Sequence, residues 1–306
     1  MKSNLNKIEV VADDNNRCGE GPLWDFEQKR LVWTDIESAL VYEWRPEQNQ
    51  KTLISRGLHV SSIALNKHGE LIFGGAGGLH IWREQNDYQT VISSFAGENL
   101  FINDMIADPK GRMYAGTLHW GPNGMEKYGK LYLIDSYAFV RVMDENIGIS
   151  NGLGFSPDNC TLYYTDSAAR LIYAYSVDPE SGALSKKRIF ARVPETEGLP
   201  DGLTVDSEGF VWSARWYGGE VVRYDPKGKV ERRIKMPMMQ VSSVAFGGPD
   251  LTDLYITTAS DVWRGPLAPP GFDFDAPNIG GPLYKISLDI KGKPEHKAKF
   301  YWRRKR

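Results

Sequence analysis

The sequence is poor in cysteine and has no long apolar run. Cys18 and Cys160 are its two cysteines, too few for a disulfide framework or a four-cysteine zinc site. We therefore predict two reduced thiols in a cytoplasmic protein. No apolar run approaches the roughly 20 residues of a membrane span, and residues 1–10 lack the apolar core of a signal peptide. The sequence thus predicts no membrane association.

An excess of charge of either sign is also missing. The chain carries 37 basic and 39 acidic residues, which gives a formal net charge of −2. A surface that binds nucleic acid or an anionic membrane needs a basic excess on one face. The basic run at residues 303–306 is short, and such terminal runs are usually only solvated. The charge balance therefore argues against nucleic acid as a partner.

Helical periodicity is lacking, whereas a repeat of strand-forming residues is clear. No stretch of ten or more residues keeps a helical period. A polar residue, an apolar run, a turn and an apolar strand recur six times, at intervals of 41 to 50 residues. Four-stranded units at this period are propeller blades. We predict an all-β, six-bladed β-propeller with four-stranded antiparallel blades, which forms a single domain over residues 1–306. The six repeats begin at Glu20, Ser61, Asn103, Asn151, Asp201 and Ser242.

Two further segments complete the predicted ring. A propeller must close, because an open blade leaves exposed strand edges. We expect the strand Ile8–Ala12 to complete the last blade. Residues 260–281 contain four prolines and are predicted to form a long loop in blade six, for which a lid over one face is one role.

The first residue of each repeat, which we call a slot, begins the innermost strand of its blade. All six slots are polar, and two of them, Glu20 and Asp201, are acids. Carboxylate and amide oxygens that converge from several blades suit calcium, magnesium or manganese better than zinc. The alternative is that Asn-Gly and Asp-Gly pairs only mark turns. Because four slots with metal-type donors keep the register of the repeat, the pattern favours a metal site at the channel.

At these residues the sequence resembles the SMP-30/gluconolactonase/luciferin-regenerating family. The resemblance runs from CGEGPLW (18–24) to VAFGGPDLTDLYITTA (244–259). It is most specific in SNGLGFSPD (150–158) and PDGLTVDSEGFVWSA (200–214). The resemblance implies a six-bladed propeller, in agreement with the repeat count, and an enzyme that hydrolyses sugar lactones with calcium, zinc, manganese or iron.

The resemblance also implies roles for four slots. Glu20, Asn151 and Asp201 would bind one divalent ion, for which we expect Ca²⁺, with Zn²⁺, Mn²⁺, Mg²⁺ or Fe²⁺ as alternatives. Asn103 would face the substrate or the metal. A glutamate before the G-x-L-Y strand of the family corresponds to Glu126, which we include as a substrate-binding candidate.

One position departs from the family pattern. Many sugar lactonases resembling this chain have an arginine two residues before the asparagine of the third slot, and here that residue is Phe101. Arginine offers five hydrogen-bond donors to substrate hydroxyls, and phenylalanine offers none. We therefore expect the pocket to favour less polar lactones over polyhydroxylated ones.

Several large side chains follow the inner strands, and the sequence allows two interpretations of each. Trp120 in blade three, with its neighbour His119, either walls a substrate pocket or packs between blades. Trp216 and Tyr217 in blade five have the same two readings. Arg215 either contacts a substrate oxygen or forms a surface ion pair.

The function predicted from the sequence is metal-dependent hydrolysis of a small lactone at the centre of the propeller. The ion would polarise the carbonyl, and Asp201 would be the general base for the attacking water. Alternatives are a non-enzymatic calcium-binding propeller, and an esterase or phosphotriesterase that uses the same site. A protein-binding propeller is disfavoured, because the repeats lack the G-H…W-D signature.

Overall fold

The computed structural model describes residues 6–121 and 124–302, without the side chain of Trp120. In this part of the chain, six four-stranded antiparallel sheets surround a central axis. The only helices described are two 3-10 turns, at Pro46–Gln48 and Glu195–Glu197, and neither is long or apolar enough to span a membrane. The predicted fold class, a six-bladed all-β propeller, is confirmed.

The four strands of each blade run in order from the axis to the rim. Blade one comprises Gly19–Asp25, Arg30–Asp35, Leu40–Arg45 and Gln50–Arg56, and blade two comprises Val60–Leu65, Leu71–Gly75, Gly78–Glu84 and Asp87–Ile92. Blade three comprises Ile102–Ala107, Met113–Thr117, Gly129–Ile134 and Val140–Ile147, and blade four comprises Ser150–Phe155, Thr161–Asp166, Leu171–Val177 and Leu184–Arg192. Blade five comprises Leu199–Val205, Val211–Trp216, Glu220–Tyr224 and Val230–Lys235. Blade six comprises Val241–Gly247, Asp253–Thr258, Leu283–Ser287 and Ile8–Ala12, and two short ribbons pair Ser94–Phe95 with Glu98–Asn99 and Trp120–Gly121 with Gly124–Met125.

The N-terminal strand closes the ring as predicted. Ile8–Ala12 pairs antiparallel with Leu283–Ser287, so that the outermost strand of blade six comes from the start of the chain. This pairing satisfies a strand edge that would otherwise stay open.

Burial between blades explains the apolar runs in the sequence. The second strand of blade one, Arg30–Asp35, is buried along its whole length, because side chains from neighbouring strands cover both of its faces. Large rings fill the gaps between blades. Trp24 stacks on Tyr255 with ring centroids 5.9 Å apart, and Trp212 meets Phe246 at 5.7 Å. When a strand is covered on both faces, its sequence is a continuous apolar run, whereas the sequence of a half-buried strand alternates between apolar and polar residues.

A hydrogen bond of one kind joins five neighbouring pairs of blades close to the axis. In each pair, a side chain of one blade donates to the backbone carbonyl that directly precedes a slot of the next, over 2.5–2.7 Å. Each bond fixes the backbone one residue before a slot, and so it helps to set where the slot side chain points. The donors and acceptors are Thr34 to Val60, Ser61 to Ile102, Asn103 to Ser150, Ser167 to Pro200, and Ser242 to Gly19.

A C-terminal segment, residues 291–302, crosses the end of the propeller opposite the slots, and we call it the strap. It touches all six blades near the turns between their first and second strands. The strap has no counterpart in the repeats of the sequence, which therefore do not predict it. Its contacts, in the order of blades one to six, are Lys297 with Glu27, Ala298 with Leu65, Lys299 with Gly111, His296 with Asn159, Lys291 with Ser207, and Gly292 with Leu251.

The strap should contribute to the stability of the propeller. Phe300 is 1% exposed and belongs to a buried cluster formed with side chains of blades two and three. Phe300→Ala should lower the free energy of unfolding by about 3–5 kcal/mol, as deletion of a buried ring does. Urea denaturation would measure the change. The control is Tyr301→Ala, because Tyr301 is 45% exposed. Equal effects of the two substitutions would show that the strap is not part of the core.

Candidate active site

The innermost strands are irregular at their slots. In all six innermost strands, including those of Glu20, Asn103, Asn151 and Asp201, the pairing register with the second strand shifts at the slot or directly after it. Such a β-bulge bends the strand and re-aims a side chain. These four slot residues come from blades one, three, four and five, and all of them line one cavity at the end of the central channel.

The cavity has a volume of about 390 Å³ and a mixed lining. Cys18 and Ser167 add to the polar side chains of the four slots. Much of the remaining surface is apolar and comes from blades one, three, four and five and from the loop of blade six. Six of the apolar lining residues are Phe101, Leu118, Ile149, Leu199, Trp216 and Trp263.

The two remaining slots hold serines with a different role. Ser61 and Ser242 are buried, and neither is among the described residues that line the cavity. The Ser61 hydroxyl donates to the carbonyls of Gly74 and Ile102. These serines join neighbouring blades and leave the chemistry of the cavity to the other four slots.

Hydrogen bonds fix the two asparagines of the site. Asn103 Nδ2 donates to the Ser150 carbonyl at 2.7 Å and to Asn151 Oδ1 at 3.2 Å. Asn151 Nδ2 donates to Ser167 Oγ at 2.9 Å. Because both amide nitrogens are engaged by protein, the amide oxygens are the groups that these side chains can offer to a ligand.

The two acidic slots and the nearby Asp104 have raised pKa values. Burial, with the nearby charge of Asp104, raises the pKa of Glu20 to about 8. Burial, followed by the charges of Glu20 and Asp104, raises the pKa of Asp201 well above its ordinary value. Burial raises the pKa of Asp104 itself to about 6, although Ser62 and the Met105 amide donate to it. The three carboxylates therefore oppose one another's ionisation.

This donor set fits a divalent cation. Among the described residues, neither Glu20 nor Asp201 forms an ion pair, and Asp201 Oδ1 is buried without a hydrogen-bond partner. A buried carboxylate oxygen of this kind is costly unless a cation compensates it. Among the same residues, no three His, Cys, Asp or Glu side chains form a metal-binding cluster. Two carboxylates with two amide oxygens instead match the all-oxygen donor sets of hard cations.

The predicted substrate-binding residues differ in whether they line the cavity. Phe101 lines the cavity beside Asn103. Glu126 is exposed and is not among the described lining residues; its backbone amide donates to the His119 carbonyl at 2.9 Å. The side chain of Trp120 lies outside the part of the chain that the structure describes. Of the four candidates, Phe101 and Asn103 are therefore brought together at the cavity.

Three consecutive residues at the end of the second strand of blade five have three different roles. Trp216 lines the cavity. Tyr217 is buried, and its hydroxyl donates to the Trp263 carbonyl. Arg215 is 0% exposed, and its guanidinium donates to Ser213 Oγ at 2.6 Å and to the Tyr224 hydroxyl. Both sequence-based readings of Arg215 were therefore wrong, because its side chain lies inside the blade and is not among the described lining residues.

Sequence reasoning missed a charged group at the mouth of the cavity. Arg17 and Asp261 line the cavity and form an ion pair of 2.6 Å, with side chains 53% and 44% exposed. Asp261, Val262 and Trp263 all come from the predicted loop, so part of this loop borders the cavity. Arg17 lies three residues before the slot Glu20, and Phe101 lies two residues before the slot Asn103. This closeness to a slot was the signal in the sequence that could have identified Arg17 as a lining residue.

The fold and the site define a six-bladed β-propeller with an acidic, oxygen-rich cavity at one end of its channel. A family model described as the SMP-30/Gluconolactonase/LRE-like region matches residues 18–260. The chain belongs to this family, which confirms the resemblance seen in the sequence.

Individual relatives match over nearly the whole chain. The chain is 37% identical to pentonolactonase XacC of Haloferax volcanii, over 95% of this chain and 98% of that protein. A solved luciferin-regenerating enzyme superposes with a TM-score of 0.86 at 28% identity, covering 95% and 99% of the two chains. A regucalcin from Agrobacterium tumefaciens, described as a calcium-binding protein, gives a TM-score of 0.81 at 25% identity, covering 94% and 96%.

The raised pKa of Glu20 predicts a pH-dependent stability in the presence of a chelator. A folded-state pKa of about 8 against an ordinary value of 4.5 means that the folded protein holds a proton there that the unfolded chain has released. The free energy of unfolding should therefore fall as the pH rises through this window. Glu20→Gln cannot lose this proton. Urea denaturation should show the variant gaining stability relative to the parent between pH 5 and pH 8.

A matched control for this experiment is Glu180→Gln, because the Glu180 side chain is 84% exposed. Its stability relative to the parent should stay nearly constant over the same pH range. A constant difference for Glu20→Gln as well would mean that Glu20 has no raised pKa in the folded protein.

Proposed function

We propose that the protein is a lactonase that opens a small lactone in the slot-lined cavity and uses one divalent ion held by Glu20, Asn151 and Asp201. The observation that carries this proposal is the unpartnered, buried Asp201 Oδ1 beside a second acidic slot. Family membership supports it, as does the relative named a pentonolactonase.

The ion that fits this oxygen donor set best is Ca²⁺, because amide and carboxylate oxygens suit hard cations. The structural relative described as calcium-binding supports the same choice. Zn²⁺, Mn²⁺, Mg²⁺ and Fe²⁺ are the alternatives that a metal titration would compare. When bound, such an ion supplies Lewis-acid polarisation of a carbonyl oxygen.

Asp201 is the proposed general base. Its side chain is 5% exposed, and it is a carboxylate of the cavity lining that can accept a proton from a water molecule beside the reacting centre. A carboxylate has two oxygens, so that one can hold the ion while the other accepts the proton of the attacking water. The water oxygen would add to the acyl carbon, the acyl–oxygen bond of the ring would break, and the leaving alkoxide would take the proton held by Asp201 to give the hydroxy acid.

The remaining polar side chains orient the substrate. Asn103 Nδ2 is engaged by Ser150 and Asn151, which leaves Asn103 Oδ1 to accept a hydrogen bond from a substrate hydroxyl. Phe101 and the other apolar side chains exclude water around the ring of the substrate. A cavity of about 390 Å³ is large enough for a five- or six-membered lactone with its ring substituents.

Asp201→Asn should abolish turnover while the protein stays folded and still binds the ion. The amide keeps an oxygen ligand but cannot accept a proton, and loss of a general base lowers kcat by about 10²–10⁴-fold. Lactone hydrolysis would be measured by pH-stat, with metal binding followed by calorimetry. Near-normal kcat in this variant would remove Asp201 as the base.

The same assay distinguishes the alternative functions. Activity that disappears with a chelator and returns with one divalent ion supports a metal-dependent hydrolase. A folded, metal-binding protein that opens no lactone would instead be a non-enzymatic calcium-binding propeller. Preferential cleavage of open-chain esters or phosphotriesters would reassign the site to those substrates.

Phe101→Arg should shift the substrate preference toward hydroxylated lactones. Beside a phenyl ring, a buried substrate hydroxyl loses its partners, at a cost of about 1–3 kcal/mol, or about one to two decades in kcat/KM. A sugar lactone would be compared with its deoxygenated ring analogue on the parent and the variant. The parent should favour the deoxygenated ring. A strong sugar preference in the parent that the substitution leaves unchanged would contradict this role of Phe101.

A further inference from the structure

We infer that Arg17 is a specificity-determining residue that binds oxygen substituents of the substrate at the mouth of the cavity. Among the described lining residues, Arg17 is the only one with a basic side chain. Its guanidinium has five N–H donors, and its described partners are Asp261 Oδ2 at 2.6 Å and the Glu37 carbonyl at 3.4 Å. At 53% exposure, donors remain for a ligand. This inference rests on the proposed lactonase function and extends it to the class of lactone.

The backbone of Arg17 is held in place before any ligand arrives. The Asp35 carboxylate accepts hydrogen bonds from the backbone amides of Arg17 and Cys18, at 3.0 and 2.9 Å. The Asp261 amide donates to the Arg17 carbonyl at 2.9 Å. Arg17 is therefore fixed to blade one on one side and to the loop of blade six on the other.

The counterion of Arg17 is fixed as well. The carbonyl of Asp261 accepts a hydrogen bond of 2.8 Å from Gln240 Nε2, and Gln240 is 0% exposed. An exposed ion pair contributes little to stability by itself. Its effect here is to restrict the positions of a guanidinium that lies beside the cavity, and such preorganisation lowers the entropy that is lost on binding.

The basic side chain of the described lining and the side chain of Phe101 come from different sides of the ring. Arg17 and Asp261 belong to blade one and to the loop of blade six, whereas Phe101 and Leu118 flank the inner strands of blade three. Blades three and six lie opposite each other in a ring of six. The lining therefore favours a lactone that carries hydroxyl or other acceptor groups on the edge that faces Arg17.

The test compares substrate preference in the metal-loaded enzyme. A lactone with ring hydroxyls and its deoxygenated analogue would be assayed on the parent, Arg17→Met and Arg17→Lys. Arg17→Met should lower kcat/KM for the hydroxylated lactone by about 10- to 100-fold, mainly through KM, and leave the deoxygenated lactone within about 3-fold. Arg17→Lys should recover part of the loss, because it keeps the charge but loses the planar fork.

The matched control is Arg264→Met. Arg264 forms an exposed ion pair with Asp275 in the same loop and is not among the described lining residues. It should leave both substrates unchanged. If Arg17 only anchored the loop, Arg17→Met would affect the two lactones equally, and that result would overturn the inference.

A second measurement separates this inference from the proposed function. Calorimetric titration of the lactam analogue of the hydroxylated lactone would give the affinities of the parent and of Arg17→Met without turnover. A parent that opens neither lactone would refute the proposed function. Equal affinities in the titration would refute the role of Arg17, whether or not the lactone is hydrolysed.

Discussion

The site depends on the hydrogen bond that one blade donates to the carbonyl directly before a slot of the next. Asn103 shows the consequence most clearly, because its amide nitrogen holds the Ser150 carbonyl while its oxygen faces the cavity. One side chain thus joins two blades and serves the site. A buried carbonyl without a partner is unfavourable, so the packing of blades and the direction of the slot residues are satisfied by the same bonds.

The two acidic slots destabilise the arrangement that these hydrogen bonds support, because their buried carboxylates repel each other. Glu20 and Asp201 are pushed toward their neutral forms by burial and by mutual repulsion. The surrounding blades must therefore supply the stability that holds the carboxylates together. Apolar contacts such as that of Trp24 with Tyr255 contribute to it. The repulsion between carboxylates is concentrated at the cavity, where a bound cation would turn it into a net attraction. Such a concentration of unfavourable charge is common at functional sites.

The repeat made the fold and most of the slots predictable, because equivalent residues of a ring face the same axis. The pattern could not distinguish Ser61 from Asn103, since both are polar and in register, and their roles differ only through side-chain length and local hydrogen bonds. The bulges at the slots were hidden for the same reason, because a register shift leaves no mark in composition. Arg17 lies outside the strands and Arg215 lies within the second strand of blade five. In both cases tertiary contacts that the repeat does not encode decide where the side chain lies.

The strap links blade number to chain length. It contacts a turn of every blade at the end of the propeller opposite the slots. A chain of fixed length spans only a limited distance. A ring enlarged by duplication of one blade would move these turns apart and leave at least one of them uncovered. Growth of the propeller by blade duplication would thus require a longer strap at the same time, so that the evolution of the ring is coupled to its C-terminus.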